Sequence, residues 1–287
     1  GIASPYAPMG VATPVDGGYI LNGRWSFSSG TDHCDWVMIG AAVGDKDGNR
    51  LNPPQSLHVL LPRSDYRIDH DSWNVVGLRG TGSKDLIVEN AFLPEYRTLR
   101  AERVMGGVAW QDAGRDETLY KFPFSCIFPL GITSSLIGIA EGALNCYIES
   151  QRERVTVSGT AIKQDPYVLS NLGDAAAEIA ASRAALLETV DRFWDLTERG
   201  IRGHLRATRD RTPDPGRRGH GGPCAPSNEI FFAGRRAGAL QLSNPLQRFW
   251  RDAHAGLSHA IHVPGSIFHA ATLTQLGEEP QGMNAGR

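Results

Sequence analysis

Residues 25–30 combine aromatic and hydroxyl side chains, and they are the stretch whose residue types most clearly suit ligand binding or catalysis. Trp25 and Phe27 are followed by Ser28, Ser29 and Gly30. A strand that ends in Ser-Ser-Gly exposes backbone N–H groups and hydroxyl groups with little side-chain bulk, which suits a flat heteroaromatic ring. The same residues also fit a hairpin with aromatic core side chains, or a plain strand end. The pattern alone leaves these interpretations open.

A glycine-rich segment forms the second candidate. Residues 77–83 read Gly-Leu-Arg-Gly-Thr-Gly-Ser. They are not a P-loop, because Lys84 is not in a Gly-Lys-Ser/Thr context and no helical pattern follows. Three glycines with Thr81 and Ser83 fit a turn that brings the backbone close to a ligand. A tight turn between two strands explains them as well.

Imidazole side chains are the third candidate. His254, His259 and His262 lie in a stretch with helical spacing. An isolated histidine on a helix is more often a core or surface residue than a catalytic one. An imidazole with an unperturbed pKa of about 6.5 can take a proton from a phenol of pKa about 10 only with help from the geometry or charge of its site.

The composition narrows the choice of partners. A net charge of −2 gives no reason to expect nucleic acid or a membrane as the main partner. No run approaches the roughly 18 apolar residues of a membrane span. The four cysteines lack metal-ligand spacing, so we expect reduced thiols, a cytoplasmic location and no metal site; they are Cys34, Cys126, Cys146 and Cys224.

Short apolar runs separated by turn residues fill residues 1–100 and predict β-strands. The predicted strands are Tyr19–Leu21, Trp25–Phe27, Trp36–Val43, Leu57–Leu61, Trp73–Val76 and Leu86–Val88. Their spacing indicates a sandwich or small barrel. We therefore predict a β domain over 1–105 and a linker over 106–122.

From Phe124 onward, apolar residues recur at three- and four-residue steps, which predicts helices. We expect a helix of about 25 residues from Phe124, a second over Pro166–Glu198 and a third between Asn244 and His262. Residues 200–226 are rich in Arg, Gly and Pro and should form a loop or be disordered. The chain is thus predicted to be α+β, with a helical bundle over 123–287.

Together these segments resemble a known family. Trp-x-Phe-Ser-Ser-Gly-x-Asp-His at 25–33, the glycine-rich segment at 77–83 and the histidine-containing stretch at 244–255 are similar to the two-component flavin-dependent aromatic monooxygenases. Oxygenase components of 4-hydroxyphenylacetate and seco-steroid phenol hydroxylases belong there. The resemblance runs from Ser4 to about Val263. It implies the acyl-CoA dehydrogenase fold, in which a helical domain comes before this point, so we expect a chain without its first domain.

The resemblance also implies an activity. Reduced flavin, as FADH2 or FMNH2, would arrive from a separate NAD(P)H:flavin reductase and react with O2 to form a C4a-hydroperoxide. An aromatic substrate would then be hydroxylated beside its phenolic hydroxyl. Members of this fold are usually tetramers, so a homotetramer is expected.

Site residues follow from the resemblance position by position. The catalytic residues would be Ser29, beside the flavin N5, and His259, the active-site base. Substrate contacts would come from Ser4, His254 and His259. Cofactor contacts would come from Trp25, Phe27, Ser28, Ser29, Gly30, Arg79, Thr81, Ser83, Arg152 and Arg154. A basic side chain at a helix C-terminus is favourable in itself, which is the alternative explanation for the two last arginines.

Two other functions remain open at this point. An acyl-CoA dehydrogenase would use a carboxylate base, commonly a Glu about eight residues after the Arg-Asp pair of the last helix, but 253–276 contains no Glu or Asp. A non-catalytic remnant of the fold is the other alternative.

Overall fold

The computed structural model describes residues 1–122, 124–156, 159, 161–201, 241–262, 272–273 and 276–278. The chain forms two compact units. The β unit contains Gly1–Val75 and Arg79–Asp116, and the helical unit contains Val76–Leu78 and Glu117–Arg287. The boundary near residue 116 falls inside the predicted linker, and three residues from within the β half of the sequence belong to the helical unit. Most of the predicted irregular segment 200–226, from residue 202 onward, lies outside the described residues.

The β unit is built on one eight-stranded sheet. The strands are β1 Ile2–Ala3, β2 Pro8–Val15, β3 Gly18–Ser28, β4 Trp36–Val43, β5 Ser56–Pro62, β6 Arg67–Asp69, β7 Lys84–Pro94 and β8 Thr98–Arg100. Their order in the sheet is β6-β7-β3-β2-β4-β5-β8. Strand β4 pairs in parallel with β2 and also with β1, which lies off this path, and the other pairs are antiparallel. A short helix, α1 (Ala101–Met105), follows β8.

Most of the predicted strands are present, with one exception. The predicted strand Trp36–Val43 is confirmed, and the runs at 19–21 and 25–27 are parts of the single long strand β3. The predicted strand Trp73–Val76 is wrong, because the described chain there is irregular. The Val76 carbonyl oxygen instead accepts a hydrogen bond from the Arg251 guanidinium. The carbonyl group is therefore satisfied without strand pairing.

Three long helices make up the described part of the helical unit: α2 Phe124–Gln151, α3 Pro166–Glu198 and α4 Pro245–Leu257. Both α3 and α4 begin with proline after a capping side chain. Asp165 accepts from the backbone N–H groups of Tyr167 and Val168, and Asn244 accepts from that of Leu246. These caps satisfy orphan donors and explain why the helices start where the sequence predicts.

Helix α2 packs against both α3 and α4. Buried residues of α2 and α3 form one cluster of Ile137, Ala140, Ile179 and Leu186. Within the described residues, one helical stretch, Ile127–Gln151, is long and apolar enough to cross a membrane by length and composition alone. This differs from the expectation drawn from the sequence, but a core helix of a soluble protein passes the same test.

Sheet first and helices afterwards confirm the predicted α+β class. The sequence pattern does not reveal that residues 76–78, which lie between two segments of the β unit, belong to the helical unit.

One buried histidine of the β unit leads to a pH-dependent prediction. His58 on β5 is almost fully buried beside the Tyr6 ring, and burial lowers its pKa below the usual value. Below about pH 6.5, His58 therefore binds a proton more readily in the unfolded chain than in the folded chain. Stability should be fully present above that pH and fall on acidification, by at most about 1.4 kcal/mol per pH unit. Urea unfolding of wild type and His58→Gln between pH 5 and 8 should show a flatter profile in the variant. Equal slopes would contradict this origin.

Candidate active site

A chain of three hydroxyl groups lies at the end of β3 in the β unit. The Ser29 Oγ is 2.7 Å from the Ser83 Oγ, which is also 2.7 Å from the Thr81 Oγ1. The Gly30 backbone N–H donates to the Thr81 carbonyl oxygen at 2.8 Å. Two segments that are 54 positions apart are therefore held together by hydrogen bonds. Ser29 is the exposed end of this chain and Ser83 is buried.

Phe27 is presented outward next to these hydroxyl groups. Its ring is 71% exposed and its backbone has a φ of 64°. A positive φ is uncommon for a residue other than glycine and costs roughly 1–3 kcal/mol. The ring lies edge to face with Trp73, with 6.2 Å between centroids. The β unit thus carries an exposed aromatic ring, supported by the partly buried Trp73, at the end of β3.

Two residues predicted as flavin contacts, Trp25 and Ser28, have their side chains inside the β unit. Neither side chain has exposed surface, and the Trp25 Nε1 donates to the Gly40 carbonyl oxygen at 2.6 Å inside the sheet core. The register of β3 against β7 shifts between Trp25 and Ser28. This irregularity interrupts the alternation of faces, so Phe27 turns outward and Ser28 turns inward.

In the helical unit, α4 holds the start of the glycine-rich segment. The Leu78 backbone N–H donates to the Asp252 Oδ1 at 2.6 Å, and Arg251 donates to the Val76 carbonyl oxygen. A Cβ on Gly77 would overlap the Arg251 carbonyl oxygen. Glycine is therefore required for a close approach of backbone to backbone. Asp252 and Arg251 were missed as positioning residues, although the Arg-Asp pair was visible in the sequence.

The three histidines occupy different environments. His262 is fully buried, with its ring nitrogens 3.1 Å from the Thr133 Oγ1 and 3.3 Å from the Gly256 carbonyl oxygen. It cannot contact a ligand in this structure. His254 is half-buried, and its ring lies 4.4 Å from that of Trp250.

His259 is partly exposed just after α4, and its ring centroid lies 6.0 Å from that of Phe128. Partial burial, and to a smaller degree the neighbouring His262, lower the pKa of His259 below its usual value. The imidazole is therefore neutral near pH 7. Its Nδ1 accepts a hydrogen bond from the Ile261 backbone N–H at 3.2 Å.

The remaining predicted residues lie apart along the chain. In the β unit, Ser4 is partly buried between β1 and β2, and Arg79 is exposed in a short 3-10 helix. In the helical unit, Arg152 forms an exposed ion pair with Glu149 at 2.9 Å. The Arg154 guanidinium donates to the Gln151 side chain at 3.1 Å.

The exposed Ser29 end of the hydroxyl chain and the exposed Phe27 ring fit a flavin ring. Ser29 offers an oxygen at the surface, Phe27 offers a ring, and a Cβ at Gly30 would meet nothing within 4 Å. Hydrogen-bonding groups beside an aromatic side chain and open backbone are what a flat, polar-edged heterocycle needs. The residues present are therefore compatible with the cofactor.

The fold and these residues define a protein of the acyl-CoA dehydrogenase class. Residues 130–216 and 225–264 match the family model described as acyl-CoA dehydrogenase, C-terminal domain. The chain is 51% identical over 285 residues to the pigment production hydroxylase of Rhodococcus erythropolis, covering 98% of this chain and 71% of that protein.

Two further comparisons show which family within this class the chain belongs to. The chain is 39% identical over 269 residues to the flavin-dependent monooxygenase, oxygenase subunit HsaA, of Rhodococcus jostii (strain RHA1), covering 92% and 68% of the two proteins. The crystal structure of 3-HSA hydroxylase from Rhodococcus sp. RHA1 matches with a TM-score of 0.85 and 35% identity, over 99% of this chain and 72% of that chain. The chain belongs to the family of flavin-dependent aromatic monooxygenase oxygenase components, as the motifs predicted.

Proposed function

We propose that this protein hydroxylates a phenolic substrate at the carbon next to its hydroxyl group, using reduced flavin and O2. The observation that supports the proposal most is the exposed Ser29 hydroxyl, held by Ser83 and Thr81 beside the outward-facing Phe27. When bound, FADH2 or FMNH2 supplies the activation of O2. The family membership of the chain supports the same chemistry.

The β unit supplies the cofactor-binding groups in this proposal. The Ser29 oxygen would accept a hydrogen bond from the flavin N5–H, and Ser83 and Thr81 would fix the orientation of that hydroxyl group. The Phe27 ring would pack against the flavin and limit access of water. The Gly30 backbone, held by Thr81, allows a close approach of the ring.

Arg152 and Arg154 of the helical unit would bind the phosphate groups of the cofactor, and Arg79 of the β unit would line the flavin or substrate pocket. Arg79 and Arg152 are exposed, and Arg154 is partly so. A planar guanidinium matches phosphate oxygens with two parallel hydrogen bonds. A flavin phosphate would replace Glu149 as the partner of Arg152, at little cost because an exposed ion pair contributes about 0–1 kcal/mol.

The substrate would be bound by Ser4, His254 and His259. His259 is neutral near pH 7. It can therefore hydrogen-bond a phenolic oxygen without the free-energy cost of removing a charged imidazolium from water. As an oxygenase component, the protein would receive its reduced flavin from a separate NAD(P)H:flavin reductase. Assembly as a homotetramer and a cytoplasmic location stay predictions.

Stopped-flow mixing of the protein and reduced FAD or FMN with oxygenated buffer tests the proposal. Flavin reoxidation should be slower than in free solution, and 4-hydroxyphenylacetate or phenol should yield a hydroxylated product in place of hydrogen peroxide. Reoxidation at the rate of free flavin, with no product from either compound, would overturn the proposed function.

A further inference from the structure

The hydrogen-bond partner of His259 fixes which ring nitrogen carries its proton. The Ile261 backbone N–H donates to the His259 Nδ1 at 3.2 Å. A backbone N–H can only donate, so this nitrogen must present a lone pair. In a neutral imidazole, the proton is then on Nε2. His259 therefore presents an N–H donor, not a lone pair, at the outer end of its ring.

His254 has the opposite arrangement. Its Nδ1 lies 2.8 Å from the Trp250 carbonyl oxygen. A carbonyl oxygen can only accept, so the His254 Nδ1 carries a proton. In two imidazoles five positions apart, the backbone thus requires a proton on Nδ1 of His254 and a lone pair on Nδ1 of His259.

The turn that directs the Ile261 N–H toward His259 is itself well anchored. The His259 N–H donates to the Gly256 carbonyl oxygen at 3.1 Å, and the His262 N–H donates to the His259 carbonyl oxygen at 2.8 Å. His262 is fully buried, between Gly256 and Thr133. Because the turn is anchored in the core at His262, the tautomer of His259 is a property of the fold.

We propose that His259 donates its Nε2–H to the oxygen of a substrate bound as the phenolate, and does not act as a general base. This inference rests on the proposed function of the protein. The phenolic proton passes to water as the substrate binds, and no electron transfer is involved in this step. A base at the His259 Nε2 would require Nδ1–H, which would place two N–H donors against each other at Ile261.

The donor role also specifies the class of substrate. A hydrogen bond to a charged oxygen favours phenolate over phenol, by about 10- to 100-fold in binding. Phenols that lose their proton more easily should therefore bind more tightly to the same site. The phenolate is the form whose ring carbon next to the oxygen is electron-rich, as hydroxylation at that position requires.

The tautomers can be measured directly by long-range proton–nitrogen NMR on protein labelled with nitrogen-15 in histidine. We expect Nε2 of His259 to carry the proton and Nδ1 of His254 to do so, with His259→Asn and His254→Asn used to assign the signals. This result does not depend on catalysis. A His259 signal with the proton on Nδ1 would overturn the inference.

Three variants separate the two roles in catalysis. Gln places an amide N–H close to the position of Nε2, whereas Asn places its amide near Nδ1 and Ala has neither. With 4-hydroxyphenylacetate or phenol, His259→Ala and His259→Asn should lose about 100- to 1,000-fold in coupled hydroxylation. His259→Gln should lose about tenfold or less. Equal loss in His259→Gln and His259→Ala would indicate a base and contradict the donor role.

A binding measurement without flavin distinguishes failure of the inference from failure of the proposed function. 4-Nitrophenol should bind to the wild-type protein with the absorbance of its phenolate, and to His259→Ala about 10- to 100-fold more weakly. Binding as the neutral phenol, or equal affinity in both proteins, would overturn the inference. Absence of hydroxylation with phenolate binding intact would refute only the proposed function.

Discussion

The Ser29→Ala variant is expected to oxidise reduced flavin without hydroxylating the substrate. The Ser29 Oγ is the exposed end of the hydroxyl chain through Ser83 and Thr81. Its loss leaves the flavin N5–H without an acceptor, which costs about 1–3 kcal/mol and corresponds to roughly 5- to 150-fold in rate. The ratio of hydroxylated product to hydrogen peroxide, at fixed flavin and O2, should fall by up to about 100-fold.

The adjacent serine is a matched control. Ser28 is fully buried, and its Oγ has no hydrogen-bond partner among the described residues. Ser28→Ala should therefore leave the product-to-peroxide ratio unchanged and stabilise the fold, or leave it unaltered, because a buried unpaired hydroxyl is removed. If Ser28→Ala and Ser29→Ala uncoupled the reaction equally, the role given to Ser29 would be wrong.

Gly77→Ala is expected to destabilise the helical unit by about 3 kcal/mol. The new methyl group would overlap the Arg251 carbonyl oxygen and press against the Ala255 side chain. A backbone atom inside a helix cannot move aside as a side-chain tip can. The loop would have to separate from α4, losing the hydrogen bond from Leu78 to Asp252. Urea unfolding followed by far-ultraviolet circular dichroism measures this loss.

Gly80→Ala provides the comparison for this variant. A Cβ at Gly80 would meet nothing within 4 Å, so the change in the free energy of unfolding should stay within about 0.5 kcal/mol. The two glycines belong to the same short segment and differ only in what surrounds them. Similar unfolding midpoints for both variants would show that the contact with Arg251 contributes little.

The helices could be predicted closely because their signals are local. Pro166 after Asp165 and Pro245 after Asn244 mark helix starts through a cap and a fixed φ. Strand β2 was missed because Pro8, Gly10 and Pro14 interrupt its pattern. The segment 73–76 was misassigned because the donor to the Val76 carbonyl oxygen is Arg251 on α4, far along the chain, where no local pattern can reveal it.

The candidate site shows the same division between local and long-range information. Ser29, Thr81 and Ser83 were expected together from the resemblance, and the hydrogen bonds of the β unit join them. The burial of the Trp25 and Ser28 side chains could not be predicted, because a change of register in β3 decides which face each side chain occupies. Alternation assumes an uninterrupted strand, and a shift of one residue reverses it.

The pairing of Leu78 with Asp252 has a consequence for synthesis of the chain. The two residues are 174 positions apart, and ribosomes add about 5–20 residues per second. The sheet can begin to form as soon as β7 and β8 emerge, but residues 76–78 must wait roughly 10 to 35 seconds for α4. During that interval the Leu78 N–H does not yet have Asp252 as its acceptor, and the Val76 carbonyl group does not yet have Arg251 as its donor. A chaperone that binds short extended segments could bind residues 76–78 during this interval, and the packing of α4 against them would displace it.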